Sequence, residues 1–448
     1  MTPARVSYLW AGLFGGLTAL CVYPLNWWWL FPVSVLGFLW TLERARDVSG
    51  FWLGLAYGTA LFFGSLNWIF HVLPPGLTLA LGPVIGLFYA GFAVVASQTR
   101  SAFLIATIWT GFEYLRSEVW LLKFPWSTPG VALGPCLVSP WLGVYGISFL
   151  TVLACALVLK EKFSVRAGGA VLLLSLIGFK LGNELTEPEM AGDPVSIALV
   201  QLEDGVVSEL KELSDSVDGE PDITVWPEYA LMHDPTQDRE DSAWLAGKTG
   251  LLVAGYMSYD PKREVSENTA IVVSEGEIVG RHVKNHTVHF FDEGQAGTEA
   301  KAIETRLGKL GTPICFDGDY QDVYRAMALD GAQLFLAPTM DAISWSKRQH
   351  LQHAELTRHR AAENGRWVAV AATSGRTQII DPKGRRVADL PLIEPGVLEG
   401  EVGLLSEVTF FSRSGWLMGP LCLLGTICCV VWLGVRRLKG RPPGSNKD

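Results

Sequence analysis

Charged residues are scarce in this sequence of 448 residues. Aspartate, glutamate, lysine and arginine make up only 18% of the chain, whereas 49% of the residues are hydrophobic and 17 are tryptophan. Soluble globular domains carry about 25% charged residues, so the composition argues against an ordinary soluble enzyme. The net charge of −9 comes with no basic cluster outside short loops, which argues against a nucleic-acid partner.

Cysteine is nearly absent from the more polar part of the chain. Of the seven cysteines, only Cys315 lies in the region 184–412, and the others lie in apolar segments or in the loops between them. The polar region therefore cannot form an internal disulfide. A lone cysteine in a domain of this size is either an inert core residue or a reactive thiol, and cysteine counts alone favour the core residue.

Long apolar runs fill the first 183 residues and return near the C-terminus. A helix needs roughly 20 apolar residues to cross a bilayer core of about 30 Å. We therefore predict a membrane domain (1–183), a more polar domain (184–412), and a last span with a basic tail (413–448). We predict about eight spans, at 8–23, 25–42, 51–72, 77–99, 102–120, 142–160, 167–183 and 415–436. The first two are short and are separated only by Pro24.

Basic residues in the short loops predict the orientation of the chain. With this number of spans they all fall on one side of the membrane, which the positive-inside rule makes cytoplasmic. Both termini are then cytoplasmic, and the domain 184–412 is extracytoplasmic. Arg116 and Lys123 lie on the outer side, against this trend. The basic residues that carry the prediction are Arg5, Arg44, Arg46, Arg100, Lys160, Lys162, Arg166, Arg436, Arg437, Lys439 and Arg441.

The region 195–411 alternates strand-like and helix-like segments. The segment "VSIALVQL" at 195–202 is typical of a buried strand, and "SKRQHLQHAELTRHRAAENG" at 346–365 is typical of a long helix that ends at a glycine. Such alternation, with hairpins interspersed, predicts an α/β layered domain. Apolar strands between amphipathic helices favour two central sheets covered by helices, although periodicity alone leaves one mixed sheet as an alternative.

Three predicted strand ends carry ionisable groups with complementary chemistry. Glu228 follows "ITVWP", Lys284 follows "EIVGRHV", and Cys315 follows "GTPI". Individually, the glutamate would cap a turn, the lysine would be a solvated charge and the cysteine would be core. Together they form an acyl-transfer set, in which a carboxylate takes the proton of the thiol and an ammonium stabilises the thiolate and the oxyanion that follows.

Ordered motifs in this domain resemble the nitrilase superfamily, namely "VWPEYA", "GRHVKNHTVHFFDEG", "GTPICFDGDY" and "QHAELTRHRAAENGRWVAVAATSG". In the membrane region, "WTGFEYLRS", "KFPWSTPGVALG" and "GVYGISFL" resemble the bacterial apolipoprotein N-acyltransferase family. The resemblance covers nearly the whole chain. It implies a polytopic helical domain in the bacterial cell (inner) membrane, and an extracytoplasmic nitrilase-like αββα sandwich between spans seven and eight.

The resemblance also implies roles for individual residues. Glu228 corresponds to the family's general base, Lys284 to its oxyanion-stabilising cation and Cys315 to its nucleophile. A supporting glutamate of the family falls at the position of Asp292, with Glu293 next to it, so either residue is a candidate for that role.

The residues after the cysteine depart from the family's pattern. The family's aromatic–glutamate pair is Phe316–Asp317 here, and "GDYQD" replaces the proline that commonly follows. These departures bear on the shape of the acceptor pocket. Aromatic residues near the motifs are candidates for the wall of a substrate-binding pocket, with a place in the core as the alternative, and they are Trp226, Phe290, Phe291, Phe316 and Trp345.

The function that the resemblance implies is an N-acyltransferase that works in two steps. Cys315 takes a fatty acyl chain from a membrane phospholipid as a thioester, and the N-terminal amine of a diacylglyceryl-cysteine lipoprotein then takes the chain as an amide. The reaction implied needs no metal and no cofactor.

Other functions use parts of the same pattern. A membrane-anchored nitrilase-superfamily amidase, or an acyltransferase with a different acceptor, would keep the Glu–Lys–Cys set. A transporter or receptor would need charges along an intramembrane pathway, and the spans carry few. A metal site would use the histidines, but neither cluster follows a known zinc pattern: these are His282, His286 and His289, and His350, His353 and His359.

Overall fold

A computed structural model describes residues 3–187, 190, 193–232, 234–236 and 238–438. These residues fall into two compact units. One unit comprises the described residues of 1–182 and 415–448, and the other comprises those of 183–414. Lys439 and Arg441 of the predicted basic tail lie outside the described residues.

The first unit is built from helices. Each predicted span coincides in sequence with a helical segment, and a π-helical turn, Leu115–Val119, extends the helix over 102–114. The α-helices are α1 Pro3–Cys21, α2 Phe31–Arg44, α3 Gly50–Ser65, α4 Pro75–Ala96, α5 Ala102–Tyr114, α6 Pro129–Leu133, α7 Ser139–Val158, α8 Phe163–Leu185 and the C-terminal helix Met418–Leu438. Short 3₁₀ helices lie at Trp28–Leu30, Asn67–His71 and Gly415–Leu417.

Four helices in the described part of the chain are long and apolar enough to cross a membrane. They are α4, α7, α8 and the C-terminal helix, the last counted from Gly415 to Arg436. Over other predicted spans, α2, α3 and α5 are shorter, with 14, 16 and 13 residues. The count of eight spans therefore stays a prediction.

Glycines let helices of this unit pack with close backbone contact. A Cβ atom at Gly15 of α1 would lie 2.1 Å from the main-chain oxygen of Tyr57 on α3. One at Gly54 of α3 would lie 2.2 Å from the main-chain oxygen of Tyr89 on α4. No other residue type fits at such distances. Small residues at helix crossings are typical of membrane proteins, in which van der Waals packing holds the helices together.

The second unit is an α/β domain. Its strands are β1 Val195–Gln201, β2 Ile223–Val225, β3 Leu251–Asp260, β4 Val265–Ser274, β5 Glu277–Val283, β6 Ile303–Thr305, β7 Gly308–Gly311, β8 Leu334–Thr339, β9 Val368–Ala372, β10 Gln378–Ile380, β11 Arg386–Asp389 and β12 Gly396–Val402. Its α-helices are α9 Val207–Asp215, α10 Arg239–Ala246, α11 Asp322–Leu329, α12 Lys347–Asn364 and α13 Phe410–Arg413. The strands form two six-stranded sheets, in the orders β12-β1-β2-β3-β4-β5 and β11-β10-β9-β8-β7-β6.

The two sheets pack face to face around one apolar core. Leu199 and Val225 of the first sheet belong to the same buried cluster as Leu336 and Ala369 of the second. Because each strand alternates its side chains between two faces, the opposite faces of both sheets also need cover.

Helices supply that cover. Leu210 of α9 and Leu245 of α10 pack against the first sheet, and Met327 of α11 and Ala361 of α12 pack against the second. The layers therefore run helix, sheet, sheet, helix. The predicted α/β fold with two sheets is confirmed, and the alternative of one mixed sheet is wrong.

The strand directions bring several strand ends to the same edge. In the first sheet β1, β2 and β3 are parallel, and in the second β7, β8 and β9 are parallel. Since β4 is antiparallel to both β3 and β5, β5 again runs in the direction of β3. Side chains that follow the carboxyl ends of such strands are a common source of active sites.

Candidate active site

The residues predicted to meet all follow strands of this parallel set. Glu228 follows β2, and Lys284 comes directly after β5. Strand β7 ends at Gly311, earlier than the sequence predicts, and Cys315 begins a 3₁₀ helix, Cys315–Asp319. All three predicted side chains are buried.

Lys284 lies between two carboxylates. Its Nζ donates to Oε1 of Glu228 at 2.8 Å and to Oε1 of Glu293 at 2.7 Å. Burial alone would lower the pKa of Lys284, but the charges of Glu228 and Glu293 raise that pKa well above its usual range. The lysine is therefore a buried ammonium, held in place by two charge-assisted hydrogen bonds.

Asn268 and Tyr229 extend the hydrogen-bond network of this cluster. Nδ2 of Asn268 donates to Oε1 of Glu228 at 2.6 Å and to the Tyr229 hydroxyl at 2.8 Å. That hydroxyl donates to Oε1 of Glu293 at 3.2 Å. Sequence reasoning missed Asn268. The available signal was an asparagine inside the strand-like segment "ENTAIVV", because an amide that is buried there needs hydrogen-bond partners. The Asn268 side chain is indeed buried, with 1% of its surface exposed.

The peptide groups of Met340 connect the glutamate with the cysteine. The main-chain N–H of Met340 donates to Oε2 of Glu228 at 2.8 Å. The main-chain oxygen of the same residue accepts from the Cys315 thiol at 3.5 Å. Thus Glu228 receives a donor on each carboxylate oxygen, and the sulfur is directed toward the same short segment. No side-chain motif in the sequence marks Met340.

Asp317 fixes the turn that carries the cysteine. Its Oδ1 accepts from the main-chain N–H groups of Asn285 and His286 at 3.0 and 2.9 Å. Its Oδ2 accepts from the N–H of Ile314 at 3.1 Å. The carboxylate thereby ties the cysteine turn to the segment after Lys284. Within that turn Cys315 has φ = 44°, a left-handed conformation that is uncommon for a residue with a side chain and is frequent at active sites.

The surroundings of Cys315 and Glu228 shift the pKa values of both side chains. Burial and the charge of Glu228 raise the pKa of Cys315 well above its usual value, and Lys284 lowers it only in part. The pKa of Glu228 is also raised, by burial first, against the effect of Lys284. A raised pKa favours the neutral thiol at rest. The cysteine therefore needs a base to take its proton, which is the role that the sequence analysis gives to a carboxylate.

The structure separates the two candidates for the supporting carboxylate. Glu293 is buried, and besides Lys284 and Tyr229 it accepts from the N–H of Val288 at 2.6 Å. Asp292 is exposed, and its carboxylate accepts from the N–H of Gly294 at 3.3 Å. Only Glu293 of this pair is thus a partner of Lys284 among the described contacts.

The aromatic candidates lie in different surroundings. Phe316 is buried beside Cys315, in a cluster with Ile314 and Tyr320. Phe291 and Trp345 pack ring against ring with centroids 5.4 Å apart, and Phe290 is 57% exposed.

Trp226 is a correction to the predicted pocket wall. It is 1% exposed, its Nε1 donates to Oγ of Ser214 at 2.8 Å, and its ring packs on Trp244. These contacts lie in the apolar layer under α9 and α10. Strand alternation explains the error, because Ile223 and Val225 face the other sheet and Trp226 therefore faces the helices.

His282 and His286 each lie within hydrogen-bond distance of a carboxylate. His282 Nε2 lies 3.0 Å from Oδ2 of Asp317, and His286 Nε2 lies 2.8 Å from Oδ1 of Asp322. Within the described residues no group of three or more histidine, cysteine or acidic side chains has the arrangement of a metal site.

Two family models match the chain. The model described as apolipoprotein N-acyltransferase N-terminal domain matches residues 14–157. The model described as carbon-nitrogen hydrolase matches residues 197–405, which contain every site residue described above. The second unit is therefore a carbon-nitrogen hydrolase domain, in the nitrilase-like class of α/β folds.

Relatives of the chain contain both parts. The apolipoprotein N-acyltransferase of Geobacter metallireducens is 26% identical over 97% of this chain and 96% of its own length. That of Pseudomonas syringae pv. tomato is 27% identical over 92% of this chain and 94% of its own length. The resemblance to the apolipoprotein N-acyltransferase family that the motifs predict is confirmed by both family models and by these relatives.

Solved structures are similar to about half of the chain. Nit3 of Saccharomyces cerevisiae, a member of branch 10 of the nitrilase superfamily, covers 49% of this chain and 93% of its own, with 21% identity and a TM-score of 0.41. An amidase from Nesterenkonia sp. covers 51% of this chain and 96% of its own, with 18% identity and a TM-score of 0.41.

Proposed function

We propose that this protein transfers a fatty acyl chain from a membrane phospholipid, through a thioester on Cys315, to the N-terminal amine of a diacylglyceryl-cysteine lipoprotein. The family and the named relatives support lipoprotein N-acylation in general. The phospholipid donor and the thioester on Cys315 are proposed from one buried cluster. In this cluster Lys284 pairs with Glu228, and both Glu228 and Cys315 contact the main chain of Met340.

The first half-reaction begins with a proton transfer. Because the thiol is neutral, Glu228 accepts its proton as the sulfur attacks the ester carbonyl carbon of the phospholipid. A carbon–sulfur bond forms and the carbonyl oxygen becomes an oxyanion. When the tetrahedral intermediate collapses, the ester carbon–oxygen bond breaks and Glu228 returns the proton to the departing lysophospholipid oxygen.

Lys284 is the proposed electrophilic partner in this step. Its ammonium is desolvated and already oriented, so it stabilises developing negative charge more strongly than a solvated lysine would. Glu293 accepts the second hydrogen bond of the ammonium, and its negative charge balances the positive charge of Lys284. This arrangement keeps Lys284 charged while Glu228 changes its protonation state.

The second half-reaction repeats the sequence with another nucleophile. The amine of the lipoprotein attacks the thioester carbon, Glu228 accepts the amine proton, and the carbon–sulfur bond breaks. The proton then returns to the cysteine, which regenerates the neutral thiol, and the product is an amide. This chemistry requires no metal or cofactor.

The proposed topology matches these lipid substrates. We assign residues 1–183 to a membrane domain, 184–412 to the catalytic domain and 413–448 to a last span with a cytoplasmic tail. About eight spans place both termini in the cytoplasm and the catalytic domain outside it, at the bacterial inner membrane. Phe290, Phe291 and Trp345 remain candidates for contact with an acyl chain, since their rings are accessible or partly accessible to solvent.

The test of this function is acyl transfer in reconstituted vesicles. Purified protein in vesicles of acyl-labelled phospholipid receives a peptide with a diacylglyceryl-modified N-terminal cysteine, and mass spectrometry follows the peptide. We expect one labelled acyl chain in amide linkage, with lysophospholipid as coproduct. Release of labelled free fatty acid without acylated peptide would identify an amidase-like hydrolase instead, and an unlabelled peptide without fatty acid would contradict both.

The adjacent carboxylates of Asp292 and Glu293 should differ in their effect on acylation of Cys315. Glu293→Gln should slow acylation of Cys315 about 10- to 100-fold, the equivalent of about 1.5–3 kcal/mol for a hydrogen bond to a charged group. The reason is that a neutral amide no longer balances and orients Lys284. Asp292→Asn is the matched control and should acylate like the parent, because that carboxylate is exposed. Equal rates for both variants, measured as acyl adduct by intact mass, would remove Glu293 from the site.

A further inference from the structure

A buried histidine lies between two carboxylates close to the cysteine. His353 of α12 is 6% exposed, and its Nδ1 lies 2.8 Å from Oδ1 of Asp341. Its Nε2 lies 3.4 Å from Oδ1 of Asp319. Both carboxylates are themselves buried, so the three side chains form one ionic cluster within the domain.

Each of the two carboxylates belongs to a segment that holds the proposed nucleophile. Asp319 is the last residue of the 3₁₀ helix that begins at Cys315. Asp341 follows Met340, the residue whose peptide groups contact Glu228 and Cys315. His353 therefore spans the two segments whose relative position fixes the distance between the thiol and its base.

The charges in this cluster are complementary. Burial would lower the pKa of His353, but the carboxylates of Asp341 and Asp319 raise it well above its usual value. Burial would raise the pKa of Asp341, but His353 together with His350 lowers it. A protonated imidazole donates to Asp341 and lies within ion-pair distance of Asp319, so it balances two negative charges that would otherwise repel each other.

Two further hydrogen bonds hold Asp341 in place. Gln349 Nε2 donates to the same Oδ1 of Asp341 at 2.8 Å, and the Asp341 N–H donates to Oγ1 of Thr373 at 3.2 Å. His350 has its Nε2 2.9 Å from the main-chain oxygen of Ala342, the residue after Asp341. Among the described contacts of these residues, only those of His353 join Asp341 to Asp319 in the turn that carries the cysteine.

We propose that His353 is a positioning residue, which clamps the turn Cys315–Asp319 to the segment Met340–Asp341 and so sets the thiol against Glu228. This inference rests on the proposed function for the meaning of the thiol–base pair. Without the clamp, the buried carboxylates of Asp319 and Asp341 repel, and the two segments move apart.

The test compares two buried histidines of one helix. In His353→Gln, the rate at which iodoacetamide alkylates Cys315, resolved from other cysteines by peptide mass spectrometry, should fall about 10- to 100-fold, because a misplacement of about 1 Å can cost 100-fold. His359→Gln, a fully buried position further along α12, should lower the melting temperature to a similar extent and leave the alkylation rate near that of the parent.

Rescue by charge removal distinguishes positioning from bulk stability. Adding Asp319→Asn to His353→Gln removes the repulsion and should restore most of the alkylation rate, whatever the melting temperature. The proposal is overturned if His353→Gln reacts like the parent, or if both histidine variants lose rate in proportion to their loss of stability. Because alkylation needs no lipid, a parent protein that fails to acylate would refute the proposed function and leave this comparison valid.

Discussion

Cys315→Ala should form no acyl adduct when the purified protein is incubated with phospholipid vesicles, whereas the parent gains the mass of one fatty acyl chain. N-acylation of a diacylglyceryl peptide should fall by about 10⁴-fold or more, the scale of loss when a covalent nucleophile is removed. The physical reason is that no other thiol lies among the described contacts of the cluster, and that Lys284 is a charged ammonium paired with Glu228. Intact-mass spectrometry measures the adduct and liquid chromatography measures the peptide.

A second cysteine controls for the loss of a buried thiol. Cys422 lies in the C-terminal helix and is also buried, and Cys422→Ala should acylate the peptide at the parental rate. Cys315→Ala should retain the parental melting temperature within a few degrees, since only a small buried group is lost. Persistence of the adduct in Cys315→Ala would place the nucleophile elsewhere and refute the proposed mechanism.

Glu228→Gln should slow acylation of Cys315 by about 10²- to 10⁴-fold, the usual contribution of a general base. The amide keeps the shape of the side chain and can still accept from Met340, but it cannot take a proton from a neutral thiol. Since burial raises the pKa of Glu228, the parental rate should fall as the pH drops through a value above the ordinary glutamate pKa of about 4.3. Single-turnover acylation measured across pH shows both effects.

The sign of this pH dependence is specific to a base that works in its ionised form. The fall at acid pH should be absent from the residual activity of Glu228→Gln. Glu277→Gln, at an exposed position at the start of β5, is the matched control and should keep the parental profile. A full acid limb in Glu228→Gln would show that another group is the base.

The sequence predicted the parts of the site that depend on strand ends. Glu228 and Lys284 follow strands of one direction, so elementary rules of α/β folds bring them together. The helix 347–364 was likewise predictable, because Gly365 marks its end locally. The two sheets were predictable because their strands are short apolar runs. Strand β12 was missed because "GVLEGEV" has two glycines and two glutamates and is only partly buried, and its place is fixed by pairing with β1.

The contacts inside the cluster depended on information that the sequence does not carry locally. Whether Asp292 or Glu293 faces Lys284 follows from the backbone path of an irregular loop, in which Phe290 has φ = 70°. The protonation of the thiol depends on how far water is excluded. Asn268 became part of the site through the register that sets β4 against β5.

Met340 illustrates a kind of dependence that side-chain substitution cannot detect. Its amide hydrogen and its carbonyl are what the proposed base and the sulfur contact, and every amino acid except proline supplies the same pair. A mutational scan should therefore record position 340 as tolerant of most substitutions other than proline. Because these contacts are made by main-chain atoms, they do not depend on which side chain is present. They are therefore recognised from the three-dimensional structure and not from the sequence.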